Sequence, residues 1–279
     1  MELLGLFGRG IGGSLSPALH GAALEATGRK GQYMLWDVAP DDLAAAMRGA
    51  YLLGARGANV TKPYKQAAAQ MSMRLDPWAK RIGAVNVLRR TQGGWEGHNT
   101  DAEGFWQPLA ALSRPIRTAL VLGTGGAALA VCAVLAREGV ALRVAGRNRE
   151  MLGRIRREFD AETIDWRQRG SHAGVDLIVN ATTVGQEDDA TPLEVEDLPQ
   201  GAIVYDLIYG RPTRLLHLAQ QRGCRTIGGG GMLLGQALLA WRLWFDEEPP
   251  QMAMAAALEQ AHRTLGRRKE AGHALPYGR

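Results

Sequence analysis

The polar groups that could do chemistry in this chain collect at a few places. In Asn59-Val60-Thr61-Lys62-Pro63-Tyr64-Lys65, Pro63 cannot continue a strand ladder and pushes Lys62 out of the helical region. The segment therefore turns sharply, and Lys65 onward has helix-forming composition. Asn59, Thr61 and Lys65 gather where a strand ends and a helix begins, the edge at which α/β folds place ligands; the competing reading is a polar loop with a solvated lysine. Ser14 and Ser16, one residue apart beside a helix start, form a candidate carboxylate cradle. Ser16 before Pro17 reads equally well as a simple N-cap. Asn86 and Asp101 fall at the ends of two later strands, where polar residues are poor strand formers; Asp101 also reads as an N-cap. Gln236 lies in a nearly all-apolar helix and needs partners, either a neighbour or a ligand hydroxyl.

A second kind of site follows the apolar strand 118–122. Gly123-Thr124-Gly125-Gly126-Ala127 leads into a helix and then a second strand, the order of a dinucleotide site. Glycines allow close backbone approach to a pyrophosphate, and the helix N-terminus supplies amide hydrogens and a positive dipole end. Where an NAD site carries an acid about 20 residues on, this chain reads Ala145-Gly146-Arg147-Asn148-Arg149. Arginine pairs with a 2′-phosphate and a carboxylate repels it, so NADP is the expected cofactor. The polar run Asn180-Ala181-Thr182, at the end of a later strand, is placed to line the same crevice.

These groups need a frame. Strands and helices alternate over the first hundred residues and finish in a hairpin-like pair, which reads as a small α/β domain with a mixed, mostly parallel sheet. Continuous apolar strands between helices then predict a Rossmann domain. Boundaries are expected at 1–103 for the first domain and 104–231 for the NADP-binding domain. Residues 232–279 should be helical, with a basic, mobile tail from Gly266.

Composition narrows the classes. With 279 residues, 46% hydrophobic and 22% charged, the chain is an ordinary globular protein. Cys132 and Cys224 lack metal-ligand spacing and read as reduced, buried thiols of a cytoplasmic protein. No metal site, signal peptide or membrane span is expected. A net charge of +5 without an aromatic-interleaved basic stripe favours an anionic small ligand over nucleic acid.

On Ser14-Leu15-Ser16-Pro17, Asn59 to Lys65, Ala84-Val85-Asn86, Gly97-His98-Asn99-Thr100-Asp101, Gly123 to Ala127, Asn180-Ala181-Thr182, Tyr205-Asp206 with Tyr209, and Gly231-Met232-Leu233 with Gln236, the chain resembles the shikimate dehydrogenase family from about Leu4 to Leu265. The resemblance implies that 1–103 is the substrate-binding catalytic domain and that the helices of 232–279 pack back on it. It also implies reversible, NADP-linked reduction of 3-dehydroshikimate to shikimate in aromatic amino-acid biosynthesis, by a monomer or homodimer. Ser14 and Ser16 would hold the substrate carboxylate, with Tyr209 nearby. Asn59, Thr61, Asn86 and Gln236 would bond ring hydroxyls, and Lys65 with Asp101 would form the catalytic pair. Gly123, Gly125, Gly126, Ala127, Arg147, Asn148, Asn180, Thr182 and Gly229 would serve the cofactor.

This sequence departs from the family pattern at Lys62, commonly apolar, at Met151, commonly a second arginine, and at Gly229, where aspartate is common. Those departures keep alternatives open: a quinate or aminoshikimate dehydrogenase, perhaps NAD-linked, or a catalytically silent sensor of ligand and cofactor. Intact Lys65 and Asp101 argue against the sensor.

Overall fold

The computed structural model describes residues 1–170 and 174–270, except the side chains of 265–270. Elements run β1 (Glu2–Gly8), α1 (Ser16–Ala26), β2 (Gly31–Asp37), α2 (Leu43–Leu52), β3 (Gly57–Val60), α3 (Lys65–Met71), β4 (Arg74–Leu75), α4 (Pro77–Ile82), β5 (Val87–Arg90) and β6 (Trp95–His98). Next come α5 (Asp101–Ala110), β7 (Thr118–Leu122), α6 (Gly126–Arg137), β8 (Ala141–Gly146), α7 (Arg149–Phe159), β9 (Glu162–Asp165), β10 (Leu177–Asn180), β11 (Ile203–Asp206), α8 (Arg214–Gln221), β12 (Arg225–Gly228), α9 (Gly230–Phe245) and α10 (Gln251–Glu270). The chain divides into two compact units, one of Met1–Thr100 with Leu234–Arg279 and one of Asp101–Leu233.

The first unit is built on a six-stranded sheet ordered β2-β1-β3-β5-β6-β4. Its β1–β2, β1–β3 and β4–β6 pairs are parallel, and β3–β5 and β5–β6 antiparallel. The chain leaves β1 for β2 on one side and returns as β3 on the other, so a topological switch point lies beyond the ends of β1 and β3. Phe7, Leu43, Met47, Val60, Tyr64, Val85 and Leu88 form one core cluster there. Late in the chain, α9 is fixed to this sheet by Trp244, whose Nε1 donates to the Leu88 carbonyl at 3.0 Å. The last helix, α10, packs on α1.

The second unit is a six-stranded, wholly parallel sheet, β12-β11-β10-β7-β8-β9. Its central strands carry continuous apolar runs, as expected of a parallel sheet that helices cover on both faces. Leu120, Val121 and Leu122 of β7 and Leu177, Ile178 and Val179 of β10 are fully buried, each stabilising the fold by roughly 1.5–3 kcal/mol. Strand order runs outward from β7 to β9, then resumes at β10 on the other side; the switch point lies between β7 and β10. This is the doubly wound dinucleotide fold.

Several local expectations change. A two-residue β4 and a six-residue α4 stand where the sequence pattern shows no element, and Asn86 precedes β5 instead of closing a strand. Helix α10 continues to Glu270, so the tail expected from Gly266 is helical for five of its residues, and 271–279 lie outside the described residues. No helix among the described residues is long and apolar enough to cross a membrane.

Candidate active site

Ser14, Ser16, Thr61 and Lys65, expected on the substrate side, lie just past the ends of β1 and β3, at the first unit's switch point. Thr61 follows β3 directly, and its N–H donates to the Phe7 carbonyl of β1 at 2.9 Å. Lys65 opens α3, half-buried, with its carbonyl accepting from Val85 N–H at 2.8 Å, whereas Lys62 is exposed. The Ser14–Ser16 turn follows β1. Ser16 does not cap α1: the helix starts at Ser16 itself, its preceding residue is Leu15, and no side chain caps it. Instead the Ser16 N–H donates to Ser14 Oγ at 3.3 Å, which holds the two serines together.

Asn59, Asn86 and Gln236 are buried and joined in one polar network. Tyr33 donates its hydroxyl to Asn59 Oδ1 at 2.7 Å, and Asn59 Nδ2 donates to the Asn86 carbonyl at 3.2 Å. Asn86 Nδ2 donates to Thr100 Oγ1 at 3.0 Å while Asn86 Oδ1 accepts from Thr100 N–H at 2.8 Å. Thr100 Oγ1 then donates to the Gln236 carbonyl at 3.1 Å. Both ends of the Asn86 amide are thereby fixed, which settles its orientation chemically. Sequence reasoning misses Tyr33 and Thr100 as members of the site. Thr100 carries a signal, a hydroxyl inside a polar run at a strand end; Tyr33 carries none, because β2 reaches Asn59 only through sheet packing.

The turn that carries Thr100 has its own support. Asp76 Oδ1 accepts from Ala79 N–H at 2.6 Å, capping α4, and from Asn99 N–H at 3.3 Å. Asn99 Nδ2 donates to the Ala84 carbonyl at 2.9 Å.

In the second unit, Asp101 opens α5 and is buried. Tyr209 keeps 40% of its surface exposed; loss of water around its phenol first, and the Asp101 carboxylate second, push the phenol above its ordinary value. At the switch point Gly123 has φ +117°, and a Cβ there would stand 2.9 Å from the Ala181 carbonyl oxygen. Glycine is required, and the loop lies against the end of β10. Gly125 and Gly126 open α6, and a Cβ on Gly125 would meet nothing within 4 Å. That leaves open space at a helix N-terminus, followed by Ala127 inside the first turn.

Asn180, expected to line the crevice, is committed within its own turn. It is fully buried, its Nδ2 donates to Asp206 Oδ1 and the Val184 carbonyl, and its Oδ1 accepts from Thr182 N–H and Oγ1. Those four bonds use the amide's whole capacity, so its side chain shapes the turn and has none left for a cofactor. Asp206 is raised by burial, with Thr213, Ile208 and Asn180 opposing the rise through hydrogen bonds. At Gly229 a Cβ would stand 2.2 Å from the Leu207 carbonyl oxygen, so a side chain has no room there, whereas Gly228 has space. Past β8, Arg147 is exposed and Asn148 caps α7 by accepting from Met151 N–H at 3.0 Å. Among the described residues no acidic or histidine cluster could hold a metal ion.

A doubly wound parallel sheet with an open glycine turn at its switch point, on a chain whose other unit gathers serine, asparagine, threonine and lysine at its own, defines a dinucleotide-linked oxidoreductase. The family model described as the shikimate dehydrogenase substrate binding domain matches residues 6–88. A Synechocystis protein named shikimate dehydrogenase (NADP(+)) is 39% identical over 274 residues, covering 92% of this chain and 94% of that one. Among solved structures, shikimate 5-dehydrogenase from Thermus thermophilus, in complex with NADP(H) and shikimate, superposes with a TM-score of 0.85 at 37% identity, covering 94% of this chain and 100% of that one. Quinate dehydrogenase from Corynebacterium glutamicum in complex with NAD gives 0.83 at 31%, covering 93% and 99%. The chain belongs to the shikimate dehydrogenase family.

Proposed function

We propose that this chain catalyses the reversible, NADP-linked reduction of 3-dehydroshikimate to shikimate in the cytoplasm, as a monomer or homodimer. The whole-length likeness to NADP-named relatives carries the reading. The residues fit the cofactor: the turn at Gly123 to Gly126 is open at the N-terminus of α6, and Arg147 is exposed with no acid at the end of β8. A pyrophosphate needs the first and a 2′-phosphate the second.

When bound, NADPH supplies hydride to the substrate carbonyl carbon, and NADP takes it back in the reverse direction. The protein's part is to hold the ring and manage the proton. Ser14 and Ser16 bond the carboxylate with Tyr209 nearby. Asn59, Thr61, Asn86 and Gln236 bond the hydroxyls, and the network around Asn86 keeps those donors in fixed orientation before substrate arrives. Lys65 offers the oxygen that becomes alkoxide both a positive charge and a proton, and Asp101 orients the ammonium and relays protons. Gly123, Gly125, Gly126 and Ala127 seat the pyrophosphate through the backbone, Arg147 with Asn148 takes the ribose phosphate, and Thr182 stands at the crevice wall that Asn180 shapes.

Absorbance at the nicotinamide band, following shikimate and quinate oxidation separately with NADP and with NAD, tests the reading. Fast turnover only of shikimate with NADP is expected, and Lys65→Ala should lower kcat by at least about a hundredfold. Preference for quinate or NAD would move the chain to the reading that the quinate dehydrogenase neighbour favours. Near-normal turnover in Lys65→Ala would remove lysine from the chemistry.

A further inference from the structure

Gly146, the last residue of β8, is buried beside the glycine turn. Leu122 pairs with Ala145 in the parallel ladder, and Gly123 N–H donates to the Ala145 carbonyl at 2.9 Å. A Cβ on Gly146 would stand 2.4 Å from Thr124 Cγ2. The threonine methyl therefore fills the place of any side chain at 146, and a β-branched residue clears it only by changing rotamer. Position 146 is also where this fold carries the acid that accepts from a ribose 2′-hydroxyl, about 20 residues past the glycine turn.

The charges around that place are uneven. Arg143 pairs with Glu162, Arg154 with Glu158 and Arg167 with Asp165. Arg147 is exposed and has no acidic partner among the described residues. Its planar fork of donors is left for a ligand phosphate. Asn148, which caps α7, fixes the backbone between Arg147 and the helix.

We propose that Thr124 is a specificity-determining residue for NADP: by occupying the side-chain position of residue 146 it holds that position to glycine and keeps a carboxylate away from the 2′-phosphate that Arg147 receives. The choice of cofactor then rests on steric exclusion as well as attraction. The inference depends on the NADP reading above, which the wild-type arm of the test examines separately.

Calorimetric titration with adenosine 2′,5′-bisphosphate and with 5′-AMP reads the site without turnover. The wild-type chain should bind the bisphosphate at least about tenfold more tightly, a single charge-assisted contact being worth that much. Gly146→Ala, which adds bulk without charge, should lower the melting temperature and weaken both nucleotides alike. Thr124→Ala/Gly146→Ala should restore both properties. Thr124→Ala/Gly146→Asp should fold and cut the preference by at least about tenfold through like-charge repulsion. No preference in the wild type would defeat the NADP reading and this inference with it. Given a wild-type preference, two results overturn the inference alone: Gly146→Ala melting and binding as wild type, or the Thr124→Ala/Gly146→Asp chain keeping the wild-type ratio.

Discussion

The two units prepare their ligand sites by opposite means. In the first, buried side chains hold one another: Tyr33, Asn59, Asn86 and Thr100 form an unbroken series of hydrogen bonds ending on the Gln236 backbone. In the second, the site is shaped by side chains that are absent. Gly123 lies against Ala181, and Gly146 yields its place to Thr124. A polar network loses stabilisation link by link, since each deleted group strands only its partner. A backbone site fails in one step where an added atom must displace main chain, as a Cβ on Gly123 would.

The largest effect that tests this contrast is Gly123→Ala. The new methyl meets a backbone oxygen, and φ +117° lies where only glycine rests easily, a strain of about 1–3 kcal/mol. NADPH affinity, measured by nucleotide fluorescence, should fall roughly thirtyfold, while equilibrium binding of shikimate to the cofactor-free chain stays as it was. A fall in shikimate affinity of the same size would mean that the two sites do not fail separately.

Thr100→Val should act more weakly and on the other ligand. It keeps the shape and the backbone N–H that Asn86 Oδ1 accepts, but leaves Asn86 Nδ2 without its hydroxyl partner. The hydroxyl's bond to the Gln236 carbonyl goes with it, but only the loss at Asn86 bears on the ligand; about 1–1.5 kcal/mol there corresponds to roughly a tenfold rise in KM for shikimate. Thr100→Ser should recover most of it, and the KM for NADP should not move. Failure of the serine to rescue would assign the loss to packing, not to orientation of Asn86.

The same contrast decides what the sequence could disclose. Strands β7 and β10 are legible because a parallel sheet covered on both faces needs continuous apolar runs, and the glycine turn is legible because its chemistry resides in residue type. Helix α4 carries the start signal Asp76-Pro77, yet six residues are too few to show a helical period. Strand β4 has no local signature; it exists because Met73 N–H donates to the Trp95 carbonyl and Asp76 N–H to the Gly97 carbonyl, both at 2.9 Å. Asn180 shows the limit for sites. Its position beside the crevice is readable, but its commitment to Asp206, Val184 and Thr182 depends on strand neighbours that sequence order does not name.

Beneath the network around Asn86 lies a group whose effect should fall on stability alone and be confined to acid. His20 is fully buried, stacked 4.7 Å from Tyr33 and tilted against Trp244 at 5.0 Å, with neither ring nitrogen hydrogen-bonded. Burial lowers it from 6.5 to about 3. The unfolded chain therefore binds a proton that the folded chain refuses, so this contribution to stability is complete above pH 6.5 and drains away as pH falls toward 3. His20→Phe, which keeps an apolar ring between Tyr33 and Trp244, removes that acid-sensitive part. Denaturant unfolding should show the variant gaining about 1.4 kcal/mol relative to wild type between pH 8 and pH 5.5, one unit below the unfolded value. Parallel stability curves for the two proteins over that range would show that the imidazole takes up a proton without unfolding. The aromatic stack under Asn59 would then tolerate charge, and the first unit's network would be less rigid than its hydrogen bonds imply.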